Sequence, residues 1–224
     1  MTLKNRFVFP LLVYLIMYAF TVPLVLTLKP YITPDQFSIV HKSLVITAFL
    51  FLISRYIKNK EQFFQFSKPN RSTILLFSIL GMLFATNNYF LSNYSINYSY
   101  LDLENTILGW FILAITISST AEELLYRGFI QSYTNQGSPV DGRLLSQGNL
   151  YATFFFFMAH VGFYTIMDPI FATTSLLLVV VFSLSVGYIR DKTSSLFWPI
   201  LIHITCNYIH IAFHWKHFLN GGVV

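Results

Sequence analysis

Ser119-Thr120-Ala121-Glu122-Glu123-Leu124-Leu125-Tyr126-Arg127-Gly128 sets three charges inside an otherwise apolar run from about Ile107 to Ile130. An ionisable side chain near a bilayer centre costs roughly 2.5 to 3.5 kcal/mol on insertion scales, so such residues usually face a protein interior or a water-filled cavity and mark function. On a helix, Glu123 and Arg127 lie four residues and about 40° apart and can pair, whereas Glu122 points about 100° away from Glu123. One reading is an internal ion pair of Glu123 with Arg127, leaving Glu122 to face a cavity with its carboxylate available for chemistry. The other is a helix end at the cytosolic interface, where all three charges are wet.

Composition decides which solvent this helix meets. Of 224 residues, 55% are hydrophobic and 10% charged, against roughly 45 to 50% apolar and 25% charged in soluble domains. This is the composition of an integral membrane protein. The single cysteine, Cys206, allows no intrachain disulfide.

A bilayer-spanning helix needs about 20 apolar residues, and seven such runs follow one another. They cover about Phe7 to Leu28, Ile39 to Ile57, Thr73 to Ser92, Asn105 to Ile130, Asn149 to Met167, Phe171 to Ile189 and Ser195 to Phe213. The first opens after Lys4 and Arg6 like a signal peptide, but it is too long and lacks a small-x-small cleavage site. The expected fold is therefore all-α, a polytopic transmembrane bundle of about seven helices. Three spans fall in residues 1–104, four in 105–213, and 214–224 form a short tail.

The basic residues orient that bundle. With a cytosolic N-terminus the inner ends collect Lys4, Arg6, Arg55, Lys58, Lys60, Lys68, Arg71, Arg127, Arg143, Arg190 and Lys192, and only Lys29, Lys42 and Lys216 fall outside. The net charge of +5 is thus a topology signal and an attraction to anionic membrane lipids. No basic and aromatic nucleic-acid module is present, and the 24 Phe and 14 Tyr read as lipid-facing and interfacial residues.

This topology brings distant polar residues to one depth. Glu122 on the fourth span, His160 on the fifth, and His203 and Asn207 on the seventh all fall about 12 to 18 Å from the cytosolic ends of their helices. Each alone has a structural explanation, since buried His bonds to carbonyls and intramembrane Asn holds helices together. Three helices delivering polar groups to one layer point to a site.

The motifs in that layer resemble those of the CPBP family (CAAX protease and bacteriocin-processing), the type II CAAX prenyl endopeptidase or Abi family of intramembrane proteases. The resemblance rests on Glu122, Glu123 and Arg127 as Glu-Glu-x-x-x-Arg, Phe156 and His160 as Phe-x-x-x-His, and His203 and Asn207 as His-x-x-x-Asn, with Pro199 four residues before that His. The motifs occur in order over about Asn105 to Phe213, and residues 1 to about 104 match only as membrane helices. The resemblance implies a multi-helix endopeptidase with a site opening toward the cytosol. Carried over by motif position, Glu122 is the general base, His160 its partner on the attacking water, and His203 with Asn207 stabilise the oxyanion. Glu123 and Arg127, with Phe156, are structural.

Two alternatives stand beside a metal-free glutamate mechanism. Glu122, His160 and His203 are also a possible zinc set of two His and a carboxylate, although the helical His-Glu-x-x-His spacing that usually marks zinc is missing. His203, Asn207, His210, His214 and His217 form a stripe on one helix face, which suits a non-proteolytic transporter or an immunity protein that binds without cleaving. The Phe-, Ile-, Asn- and Lys-rich composition suggests a bacterial plasma membrane. It favours a peptide or membrane-protein substrate over a prenylated one, in bacteriocin self-immunity or CAAX-like processing.

Overall fold

The computed structural model describes residues 3–28, 31, 34–58, 60–91, 108–136 and 145–219. Its elements are α1 (Leu3–Leu28), α2 (Pro34–Tyr56), α3 (Arg71–Leu91), α4 (Leu108–Glu123), a π-helical segment (Leu124–Gln131), α5 (Ser132–Asn135), α6 (Gln147–His160), α7 (Pro169–Thr193) and α8 (Phe197–Leu219). Because α4, the π segment and α5 run on without a break, the described residues form seven helical rods, as many as the expected spans. The all-helical membrane bundle read from the sequence is what the chain forms. Lys29, Glu104 and Arg143 lie outside the described residues, as do the side chains of Lys60, His214, Lys216 and His217.

Gln36–Tyr56, Arg71–Leu91 and Pro169–Thr193 are each long and apolar enough to cross a membrane by length and composition, and shorter apolar stretches cover Arg6–Thr21 and Phe197–Phe213. Phe20, Phe51, Leu75, Phe90 and Leu177 stand exposed, an outer surface suited to hydrocarbon rather than water. With the cytosol at the N-terminal side, a cysteine at Lys68 is expected to react with a membrane-impermeant maleimide only from the cytosolic face. One at Asp168 is expected to react only from the opposite face, and the reverse pattern would overturn the orientation.

Helix ends differ from expectation in two places that matter for the site. The fourth span continues past Ile130 to Asn135, through a wholly buried π segment. The fifth ends at His160 rather than near Met167, giving way to a 3₁₀ turn over Val161–Thr165. Asp168 then caps α7 by accepting from the Ile170 N–H, with Pro169 in the first helical turn, where its missing N–H costs no hydrogen bond. At the other end of α7, Ser194 takes the left-handed conformation at φ 55° and returns its N–H to Arg190 O, a stop that turns the chain into α8.

Close approaches fix the helices around the middle of the bundle. A Cβ on Gly187 of α7 would overlap the Asn149 side chain of α6, whose amide instead donates to Leu184 O at 2.9 Å. The connection between α2 and α3 is stitched to the start of α8, where Leu196 N–H donates to Phe63 O and Trp198 Nε1 donates to Ser67 O. One apolar core runs through these contacts, from Phe49 and Ile53 of α2 through Leu124 and Phe129 to Phe156, Phe182 and Ile202.

Candidate active site

Glu123 and Arg127 pair as their spacing requires: Arg127 Nη1 donates to Glu123 Oε1 at 3.1 Å, with both side chains fully buried. The wet helix-end reading is thereby excluded for this pair. Arg127 Nη2 reaches α7, donating to Ser183 Oγ at 2.8 Å and Ser183 O at 3.2 Å. Its guanidinium stacks over the Phe156 ring, 4.7 Å from the centroid. Arginine suits this place, because its planar fork pairs a carboxylate while its face lies on an aromatic ring.

The same Glu123 oxygen has a second partner. His203 Nδ1 lies 2.8 Å from Glu123 Oε1, and a carboxylate only accepts, so Nδ1 carries the proton. The other ring nitrogen, Nε2, points toward the second acid, 3.9 Å from Glu122 Oε2. Phe182 and Phe156 meet the ring edge to face at 4.9 and 5.8 Å. His203 therefore has a fixed orientation, set by α4 on one side and aromatic packing on the other.

Glu122 is not the unpartnered carboxylate expected from sequence. Its Oε1 accepts from Lys42 Nζ at 3.2 Å and from Ser118 Oγ at 3.1 Å, and the Lys42 and Glu122 side chains are 26% and 22% exposed. Lys42 is accordingly not a charge at the outer end of its helix. It lies eight residues, about 12 Å, inside α2 from Pro34, and packing of α2 along α4 turns it toward the acid. The distribution of positive charge is corrected by the same observation. Lys42 leaves the outer group, and Arg127 leaves the inner one, because it is a buried anchor rather than a loop charge.

His160, the last residue of α6, donates Nδ1–H to Phe156 O at 2.7 Å. A carbonyl cannot donate, so Nε2 is left as the acceptor nitrogen of the neutral ring. Asn207 donates through Nδ2 to Ser119 Oγ at 2.9 Å. Glu122, His160, His203 and Asn207 all line one cavity of about 490 Å³, whose remaining walls are chiefly apolar and include Phe84, Phe111 and Phe182. Phe156 belongs to this wall as well as supporting Arg127.

Sequence reasoning missed Lys42 and Ser118. Lys42 carried a signal: it is a lone cation at the start of an apolar run, where a charge calls for a partner, but its partner is 80 residues away. The histidine stripe is divided by the structure. His203 is held by Glu123, and His210 contacts Asn88 of α3 at 2.7 Å. Among the described residues, no three His, Cys, Asp or Glu side chains form a group able to hold a metal ion. Glu122, a member of the alternative zinc set, has one oxygen already paired with the Lys42 ammonium.

Residues 104–209, somewhat under half of the chain, match the family model described as type II CAAX prenyl endopeptidase Rce1-like. No curated protein and no solved structure matches the chain. The matched segment contains Glu122, Glu123, Arg127, Phe156, His160, His203 and Asn207, whereas Lys42 lies outside it.

Proposed function

We propose, because residues 104–209 match the family model described as type II CAAX prenyl endopeptidase Rce1-like, that this chain is an intramembrane endopeptidase. Its substrate is a peptide or membrane-associated protein, and its general base is Glu122. The reading is supported above all by one observation: Glu122, His160, His203 and Asn207, from three helices, line a single largely apolar cavity within the bundle.

In this proposal water lies between Glu122 Oε2 and His160 Nε2. As the water oxygen attacks the scissile carbonyl carbon, its proton passes to Glu122, and the carbonyl electron pair moves onto the oxygen. Collapse of that oxyanion re-forms the carbonyl and breaks the C–N bond, and the proton on Glu122 passes to the leaving nitrogen. General base catalysis of this kind contributes roughly 10²- to 10⁴-fold. The Asn207 amide is one oxyanion donor. His203 becomes the other when it carries both ring protons, Nδ1–H staying on Glu123. Singly protonated at Nδ1, it has no hydrogen to offer at Nε2.

Asn207→Ala is expected to lower turnover about 10²- to 10³-fold while the protein keeps its melting temperature. Near-normal turnover would remove Asn207 from the oxyanion site. The mechanism is proposed to be metal-free, so activity is expected to survive purification with a chelator. Loss of activity on chelation with recovery on added zinc would replace it with a zinc mechanism, since a resident metal that holds a site is lost with its ligands' protonation or its removal. Comparative proteomics of membranes carrying wild-type or Glu122→Ala protein is expected to reveal an uncut substrate. A bacteriocin-like peptide among the accumulated species would support self-immunity, and a membrane protein cut near its C-terminus would support CAAX-like processing. Identical peptide profiles in the two membranes would count against proteolysis.

A further inference from the structure

Resting on the assignment of Glu122 as base, we infer that Lys42, aided by Ser118, is a positioning residue that presents one oxygen of the Glu122 carboxylate to the reaction. A carboxylate has two equivalent oxygens and turns readily about its last bond, so a base of this type has to be held with a lone pair facing the water. Here the two oxygens are made unlike. Oε1 takes hydrogen bonds from both Lys42 Nζ and Ser118 Oγ, whereas Oε2 is the oxygen toward His203 Nε2. The two donors reach Oε1 from different helices, Lys42 from α2 and Ser118 from the preceding turn of α4. Together they fix the plane of the carboxylate as well as its charge partner.

The geometry also says what Lys42 does not do. Its side chain and that of Glu122 are both about one quarter exposed, unlike the fully buried Glu123–Arg127 pair that anchors the fold. A lysine retained only for folding has a poor reason to sit here. Arg127 is not available for the task, because its two terminal nitrogens are committed to Glu123 and Ser183. The site is therefore completed by α2, a helix outside the matched segment 104–209.

The test uses full-length protein in lipid nanodiscs, with quenched fluorescent peptides, one unmodified and one bearing a farnesylated CAAX-type C-terminus, as activity probes. Lys42→Met is expected to lower kcat about 10²-fold, the scale of a misplaced reacting group, with KM and melting temperature near wild type. Lys42→Arg is expected to recover most of the loss, because it restores a cationic donor. In the Glu122→Gln background, Lys42→Met is expected to change nothing further, since it acts through that carboxylate. A second readout needs no turnover: in the infrared difference between each protein and its Glu122→Gln counterpart, the Glu122 carboxylate stretch is expected to shift in Lys42→Met and return in Lys42→Arg. An unshifted band, or unchanged kcat in Lys42→Met alongside an inactive Glu122→Gln, would overturn the role of Lys42 alone. Full activity of Glu122→Gln would instead overturn the base assignment beneath it.

Discussion

Glu122→Gln is expected to leave a folded, membrane-inserted protein whose turnover has fallen about 10²- to 10⁴-fold, the range general base catalysis supplies. The amide keeps the side chain's length and an oxygen that can still accept from Lys42 and Ser118, the partners of Oε1. What it loses is a carboxylate able to take a proton from water. The destabilisation expected is small, because Glu122 is partly exposed and the Gln amide oxygen can still accept from Lys42 and Ser118. Measuring kcat beside the thermal unfolding of the same preparation separates the two effects. A transporter or binding protein would lose neither ligand affinity nor stability. Retained turnover would rule out the glutamate mechanism.

The neighbouring acid should behave in the opposite way. Glu123→Ala is expected to destabilise the fold by about 3 to 5 kcal/mol, because removing one partner of a buried ion pair leaves the other charge uncompensated. Here the survivor would be Arg127, which has no exposure at all and keeps Ser183 and the faces of Phe156 and Phe182 for company. Arg127→Ala should cost a similar amount, leaving Glu123 with His203 alone. Replacing both at once by apolar residues should cost less than the two single changes added together, since no lone charge remains. Thermal unfolding in a mild detergent, ranked across these variants, checks the order. If Glu122→Gln proved the more destabilising change while Glu123→Ala stayed active, the roles of the two acids would be reversed.

The sequence was most informative where chemistry is local. The spacing of Glu123 and Arg127 implied their contact, and shared helix depth brought His160, His203 and Asn207 to the level of Glu122. Its silence begins where partners are remote. Nothing near Lys42 names an acid 80 residues on, and its place close to Pro34 makes it look like a residue at the water's edge. The π segment was equally hidden, because wider helical turns over Leu124–Gln131 leave the apolar character of the run unchanged. Nor does the run that follows Asn149 announce that regular helix stops at His160, since Val161, Phe163 and Ile166 continue it without a change in polarity.

Oε1 of Glu123 answers to Arg127 and to His203 at once, so one atom belongs both to the scaffold and to the reaction layer. If the proposed reaction were lost, the fold would still need the buried Glu123–Arg127 pair, whereas partly exposed Glu122 would be free to change. The Glu-x-x-x-Arg pair in a distant relative is for that reason a mark of shared ancestry in shape. On the proposed reading, inheritance of the reaction is reported by Glu122, one position earlier.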